Sequence, residues 1–262
     1  NTLPSSSETV IIPRTANPPV ISSSATTVAG IQLEYTGSSG TSVLTIQSGG
    51  SISVTGPITI GNTCTLSNAG TLNIGGDWTN NGSTTLTGTL TFNGTTQSIG
   101  GSASTTFNNL TIASGTTTAA QDISLTGNWT NNASFTAGAF GVTFTGTAAQ
   151  NITGTSLTTF NNLTIDKLTG NVSLQNTTTV NGVLSFAGGS TAGKIRIGSN
   201  NLIISSTSTA AITNYNSERY VVTEGIGFLR RNQSGSNAYD FPIGPDQTSY
   251  NPITLVNSGT TE

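Results

Sequence analysis

From Val43 onward the chain reads as a succession of three-residue cores, each with an apolar residue on either side of a small polar one: Leu44-Thr45-Ile46, Ile52-Ser53-Val54, Ile58-Thr59-Ile60, Cys64-Thr65-Leu66 and Leu72-Asn73-Ile74. A period of two puts the apolar pair on one face of an extended strand and the polar residue on the other. The gaps hold Gly, Asn and Ser, which turn the chain within a few residues at little steric cost. Strands this short, joined by corners this small, predict stacked coils rather than hairpins, each strand pairing with its counterpart one coil away. No stretch places apolar residues at i, i+3, i+4 and i+7, and Thr, Ser, Asn and Gly are poor helix formers. The expected class is all-β.

A longer pattern overlies this alternation. Phe107-Asn108-Asn109-Leu110-Thr111-Ile112 recurs as Phe160-Asn161-Asn162-Leu163-Thr164-Ile165. Upstream, Phe92, Gly94, Thr95, Gln97 and Ile99 match Phe144, Gly146, Thr147, Gln150 and Ile152, and Gly76-Asp77-Trp78-Thr79-Asn80-Asn81 matches Gly127-Asn128-Trp129-Thr130-Asn131-Asn132. The offsets are 51, 52 and 53 residues, so small insertions are tolerated while order is kept, as in a solenoid. Three strands with their corners take about 20 residues, so one repeat spans two or three coils. Right-handed crossovers dominate parallel connections, so a right-handed parallel β-helix is expected. Uneven spacing between strand cores argues against the left-handed hexapeptide form. Asn108-Asn109 and Asn161-Asn162 are expected at corners, in left-handed backbone, with their amides stacked between coils.

The flanks differ. Residues 1–42 carry Pro4, Pro13, Pro18 and Pro19 among short apolar runs and are assigned to an N-terminal cap that blunts the first coil's open edge. Residues 43–212 form the expected β-helix. Between Lys194 and Asp246 lie nine of the seventeen charged residues, and Tyr220-Val221-Val222 and Gly227-Phe228-Leu229, separated by a Glu-Gly turn, look like a hairpin. Residues 213–262 are therefore expected to form an antiparallel β unit. Ile253-Thr254-Leu255-Val256 has no evident partner in it, which suggests a truncated unit.

Charge narrows the function classes. Lys, Arg, Asp and Glu make up 6% of the chain where about 25% is usual, with a net charge of −3. Seven basic residues offer no electrostatic footprint for nucleic acid or an anionic bilayer. No apolar run is long enough to insert in a membrane, and Asn1 opens no signal-like segment. The single cysteine, Cys64, falls in the apolar alternation and reads as a small core residue.

Several boxes in order resemble the modular β-helix regions of very large extracellular proteins of Bacteroidota that use type IX secretion. They are Val10-Ile11-Ile12-Pro13 with Pro19-Val20-Ile21, the Gly-x-Trp-Thr-Asn-Asn boxes, the Phe-Asn-Asn-Leu-Thr-Ile boxes, and Phe241-Pro242-Ile243-Gly244 followed by Tyr250-Asn251-Pro252-Ile253-Thr254-Leu255. The resemblance implies surface display and attachment without naming a ligand. No C-terminal sorting domain is visible in the sequence.

Candidate chemistry is sparse. With no histidine, the usual serine and cysteine triads are absent, and one cysteine makes no thiolate zinc site. Gly75-Gly76-Asp77 is similar to a calcium nonapeptide, but Asn128 replaces Asp77 in the second copy. No metal and no cofactor are expected. Asp77, Asp122 and Asp166, the only carboxylates between 43 and 212, are candidates for the paired acids of a polysaccharide-degrading β-helix, which need about 5 to 10 Å between them. Solvated charge is the competing account. Trp78 and Trp129 could stack on sugars, but they share parity with Leu72, Ile74 and with Ile123, Leu125, so an inward position is expected. Arg230 and Arg231 could grip an acidic polysaccharide or simply solvate an exposed hairpin edge. Thr85, Thr87, Thr89 and Thr91 resemble an ice-binding array, although the aligned Ala137, Ala139, Gly141 and Thr143 do not keep it.

The expectation is a non-catalytic structural and adhesive module of an extracellular fibre or giant cell-surface protein. A polysaccharide-binding or polysaccharide-degrading protein and an ice-binding solenoid are the alternatives. Its partners would be adjoining domains of a longer chain, other copies of itself, and a glycan or abiotic surface.

Overall fold

The computed structural model describes residues 4–24, 27–34, 42–187 and 193–256, and the chain divides into two compact units. One holds residues up to 123 with 132–138; the other holds 124–131 with those from 139 on.

In the first unit the strands form three parallel sets. One sheet runs Thr9–Ile12, Gly30–Leu33, Ile58–Ile60, Trp78–Asn80, Thr96–Gly100, Thr116–Ala119, Ser134–Thr136. A second runs Val20–Ile21, Val43–Ile46, Thr65–Asn68, Ser83–Leu86, and a third set runs Ser51–Val54, Thr71–Ile74, Thr89–Phe92, Asn109–Ile112. After the first two pairings, Thr9–Ile12 with Gly30–Leu33 and Val20–Ile21 with Val43–Ile46, each parallel strand pairing joins strands three apart in chain order. The chain therefore visits three sides per coil, the arrangement of a β-solenoid. Partners lie 18 residues apart at Thr71 and Thr89 and 27 apart at Ile31 and Ile58, because corners vary while strand cores do not. The second unit follows the same rule, with Asn162–Lys167 pairing both Gly141–Gly146 and Leu184–Ala187 in parallel. Among the described residues, the 3-10 turn Thr209–Ala211 is the one helical element.

Alternation sets what lies inside. Leu110, Ile112, Leu163, Ile165, Trp78, Trp129 and Cys64 are all fully buried, as their parity requires.

The flanks are more solenoidal than expected. Thr9–Ile12 and Gly30–Leu33 already belong to the parallel ladder, so the coils begin before residue 43. Pro13 follows the first strand and Pro18-Pro19 precede Val20–Ile21, so the prolines fall at strand ends, where no ladder donor is lost. Beyond residue 212, Val221–Val222 pairs in parallel with Ile195–Arg196 and Ile243–Gly244, and Leu229–Arg231 with Leu202–Ile204. The expected hairpin is thus two sides of a coil. Its Glu224-Gly225 corner brings Gly225 so near the Gly198 carbonyl that a Cβ would sit 2.3 Å from that oxygen. The antiparallel pair is instead Ala238–Phe241 with Ile253–Val256, which gives Ile253–Val256 the partner that the sequence left unseen. Residues 257–262 lie outside the described residues.

Two further expectations change. Asn108 and Asn161 lie at the bends between strands, as expected of corners, but Asn109 and Asn162 open strands, and among the described non-glycine residues left-handed backbone falls on Thr63 and Asn214 instead. The repeat also fits the coil unevenly. Trp78 to Trp129, Phe92 to Phe144, Gln97 to Gln150 and Phe107 to Phe160 each advance eight strands. Eight is not a multiple of three, so each box in the second copy falls on a different side of its coil from the first.

Candidate functional site

Inside, the repeat builds the same polar cluster twice. Trp78 Nε1 donates to Thr105 Oγ1 at 3.2 Å, and Trp129 Nε1 donates to Thr158 Oγ1 at 3.2 Å. The ring centroids of Trp78 and Phe107 lie 5.7 Å apart, and those of Trp129 and Phe160 lie 5.2 Å apart. Gln97 Nε2 donates to the carbonyls of Ile74 and Gly76, as Gln150 Nε2 does to those of Leu125 and Gly127. Asn80 and Asn131, inward beside each Trp, donate to carbonyls at the following corner, Ser104 O and Leu157 O. Each cluster satisfies buried donors and so fixes the geometry of its corner. Both indoles lie in the core and present no face to a sugar.

The copies differ at one acceptor. Gln97 Oε1 accepts from the Gly94 amide at 3.0 Å, whereas Gln150 Oε1 accepts from Lys167 Nζ at 2.5 Å. Lys167 is fully buried on the inward parity of Leu163 and Ile165, and its ammonium also donates to Ala148 O at 2.6 Å and Thr145 O at 3.4 Å. Three donors meet three neutral oxygens, and burial pushes the amine below its ordinary value.

The carboxylates are spread along the chain. Asp77 is exposed ahead of Trp78–Asn80 and accepts from the Ser98 amide at 2.7 Å, Asp122 is exposed ahead of Ile123–Leu125, and Asp166 lies within Asn162–Lys167 opposite Thr145 and Ala187. Among the described residues, no group of three or more Asp, Glu, Cys or His side chains could hold a metal ion.

The arginine pair divides by parity. Arg230 is exposed, but Arg231 is 6% exposed, so the two do not form one cationic surface. The Arg231 guanidinium donates to the carbonyls of Ser208, Thr209 and Asp240, with the Tyr239 ring centroid 5.3 Å away. Beside it, the Asp240 carboxylate accepts from the hydroxyls of Thr254 and Tyr215, both at 2.6 Å. These bonds lower the Asp240 carboxyl, Thr254 contributing most, and hold the Tyr215 phenol up at about 12, the bond to Asp240 being the largest cause. This is a clamp on the antiparallel pair. Lys167, Gln97, Gln150 and Arg231 were readable as inward by parity, but their polar types hid them.

Outside, the ladder aligns small polar side chains across coils. Ser51, Thr71, Thr89 and Asn109 form one row, and Ser53, Asn73, Thr91 and Thr111 form another. A second face aligns Thr96, Thr116 and Ser134 beside Ser98, Thr118 and Thr136. The run Thr85 to Thr91 is not one row: Thr85 lies in Ser83–Leu86, Thr87 between strands, and Thr89 and Thr91 in Thr89–Phe92. Neighbours within a row are separated by the strand spacing of about 4.8 Å. No family model, curated protein or solved structure matches the chain.

Proposed function

We propose that the chain is a non-catalytic structural and adhesive module of an extracellular fibre or cell-surface protein. The observation that carries this reading is the pair of uncharged outward faces, on which Ser, Thr and Asn side chains repeat in register over successive coils. Such a face offers many weak hydrogen bonds and no strong site, so attachment depends on repetition, and several weak contacts on one scaffold raise binding far above any single one. Self-association and display by a giant surface protein belong to the same reading. The dispersed Asp77, Asp122 and Asp166 give no support to the polysaccharide-degrading alternative.

Electron microscopy of the native material, with binding to cells, glycans and abiotic surfaces, tests the proposal. Fibres or surface arrays that bind in a multivalent manner are expected. Compact particles binding none of these overturn it, as do new reducing ends from a polysaccharide panel that vanish on substitution of Asp77, Asp122 or Asp166.

A further inference from the structure

Among the described residues, the inward positions of the first coils are filled by aliphatic side chains and by the small Ser42, whose hydroxyl donates to the Ile12 carbonyl at 2.6 Å. Val10, Ile12, Val28, Ile31, Leu33, Leu44, Ile46, Ile52 and Val54 face inward or line this end, and the first fully buried aromatic among the described residues is Trp78. Later coils of the same unit fill their interior with Trp78, Phe92 and Phe107. A coil with the same three-sided frame but smaller side chains leaves space. It appears as a chamber of about 440 Å³ lined by Val10, Ile12, Ile21, Val28, Ile31 and Leu44, with Ser24 the one polar residue among the described lining. Beside it lies a hollow of about 310 Å³ that shares Pro4 and Val10 and adds Glu8 and Thr9. The Glu8 carboxylate accepts from the Ser5 amide at 2.7 Å and faces solvent.

We propose that the chamber is a binding site for the alkyl chain of a single-chain amphiphile whose head group is not anionic. The volume falls in the range of small-molecule sites, and an apolar chamber of this kind stays dry and accepts an apolar guest. Among the described lining residues Ser24 alone is polar, too little to orient a sugar or a charged group. The adjoining hollow places the head group beside Glu8, which attracts a cation, tolerates a neutral head and repels a carboxylate.

Alkyltrimethylammonium ions from eight to fourteen carbons, each below its micelle concentration, titrated calorimetrically into the full chain, test this. Uptake of one molecule per chain is expected, with affinity rising about four-fold per methylene and then levelling as the chamber fills. Dodecanoate should bind at least ten-fold more weakly than dodecyltrimethylammonium, and Glu8→Gln should remove that preference while leaving chain-length dependence intact. Val28→Phe and Ile52→Phe fill the space and should abolish uptake. Should both variants fold poorly, nuclear Overhauser contacts in the unaltered chain decide, since bound methylenes must touch the methyls of Val10, Ile31 and Leu44. Absence of saturable uptake, affinity that climbs without levelling, contacts elsewhere, or exclusion of the probe by association of two copies through this end would each overturn the proposal.

Discussion

At the scale of the residue, Lys167 is the sharpest departure from the chain's economy of charge. Its ammonium is buried and its amine is pushed down by burial, so the unfolded chain, with an ordinary lysine near 10.5, binds the proton more tightly than the folded one. Stability must therefore rise with pH between the depressed folded value and 10.5, and this increment must be missing below that window. Denaturant unfolding from pH 7 to 10.5 should show the rise, and Lys167→Met should lose it. The same substitution at pH 7 orphans Gln150 Oε1 and should cost about 1–3 kcal/mol, and adding Gln150→Leu should lower stability further, since it also removes the bonds to the Leu125 and Gly127 carbonyls. Glycine offers a second test. Gly101 and Gly154, at matching places in the repeat, have φ of 125° and 128°, and a Cβ on either would lie within 2.0 Å of the carbonyl oxygen of Asn80 or Asn131. Gly154→Ala should lower stability by at least about 1–3 kcal/mol from backbone strain alone, measured by thermal unfolding.

At the scale of the element, parity carried most of the sequence's information. It placed both Trp indoles, Cys64 and the Phe boxes inside, because an apolar residue at period two has one place to go. It failed to announce Gln97, Gln150, Lys167 and Arg231, which occupy inward positions in spite of their polarity. Their partners are backbone carbonyls at corners, which no pattern of side chains reveals. Tyr220–Val222 and Gly227–Leu229 misled for a related reason: a tight Gly corner serves a hairpin and a coil equally, and only the register with Ile195–Arg196 and Leu202–Ile204 separates the two. Charge misled in the same region. Arg196 faces outward and pairs with Glu224 at 2.8 Å while Lys194 and Arg231 are buried, so the clustered charges belong to the coils instead of ending them. The chamber near Val10 was legible only in hindsight, as a stretch of inward Val, Ile and Leu without one described aromatic.

At the scale of the whole molecule, a ladder in which each strand pairs one coil back and one coil forward makes stability a sum of neighbour terms. Ile112 pairs opposite Phe92 within the first unit, and Ile112→Asp would bury an unpaired charge at a cost of about 3–5 kcal/mol. Hydrogen exchange should show amides of Thr89–Phe92 and Asn109–Ile112 losing protection first, with Gly30–Leu33 keeping it longest. Uniform loss throughout the unit would mean that the coils melt as one. The eight-strand repeat has a consequence of its own. In a coil of three sides it works as a vernier, each added copy advancing the boxes by two thirds of a circuit, so that three copies, twenty-four strands, restore the starting side.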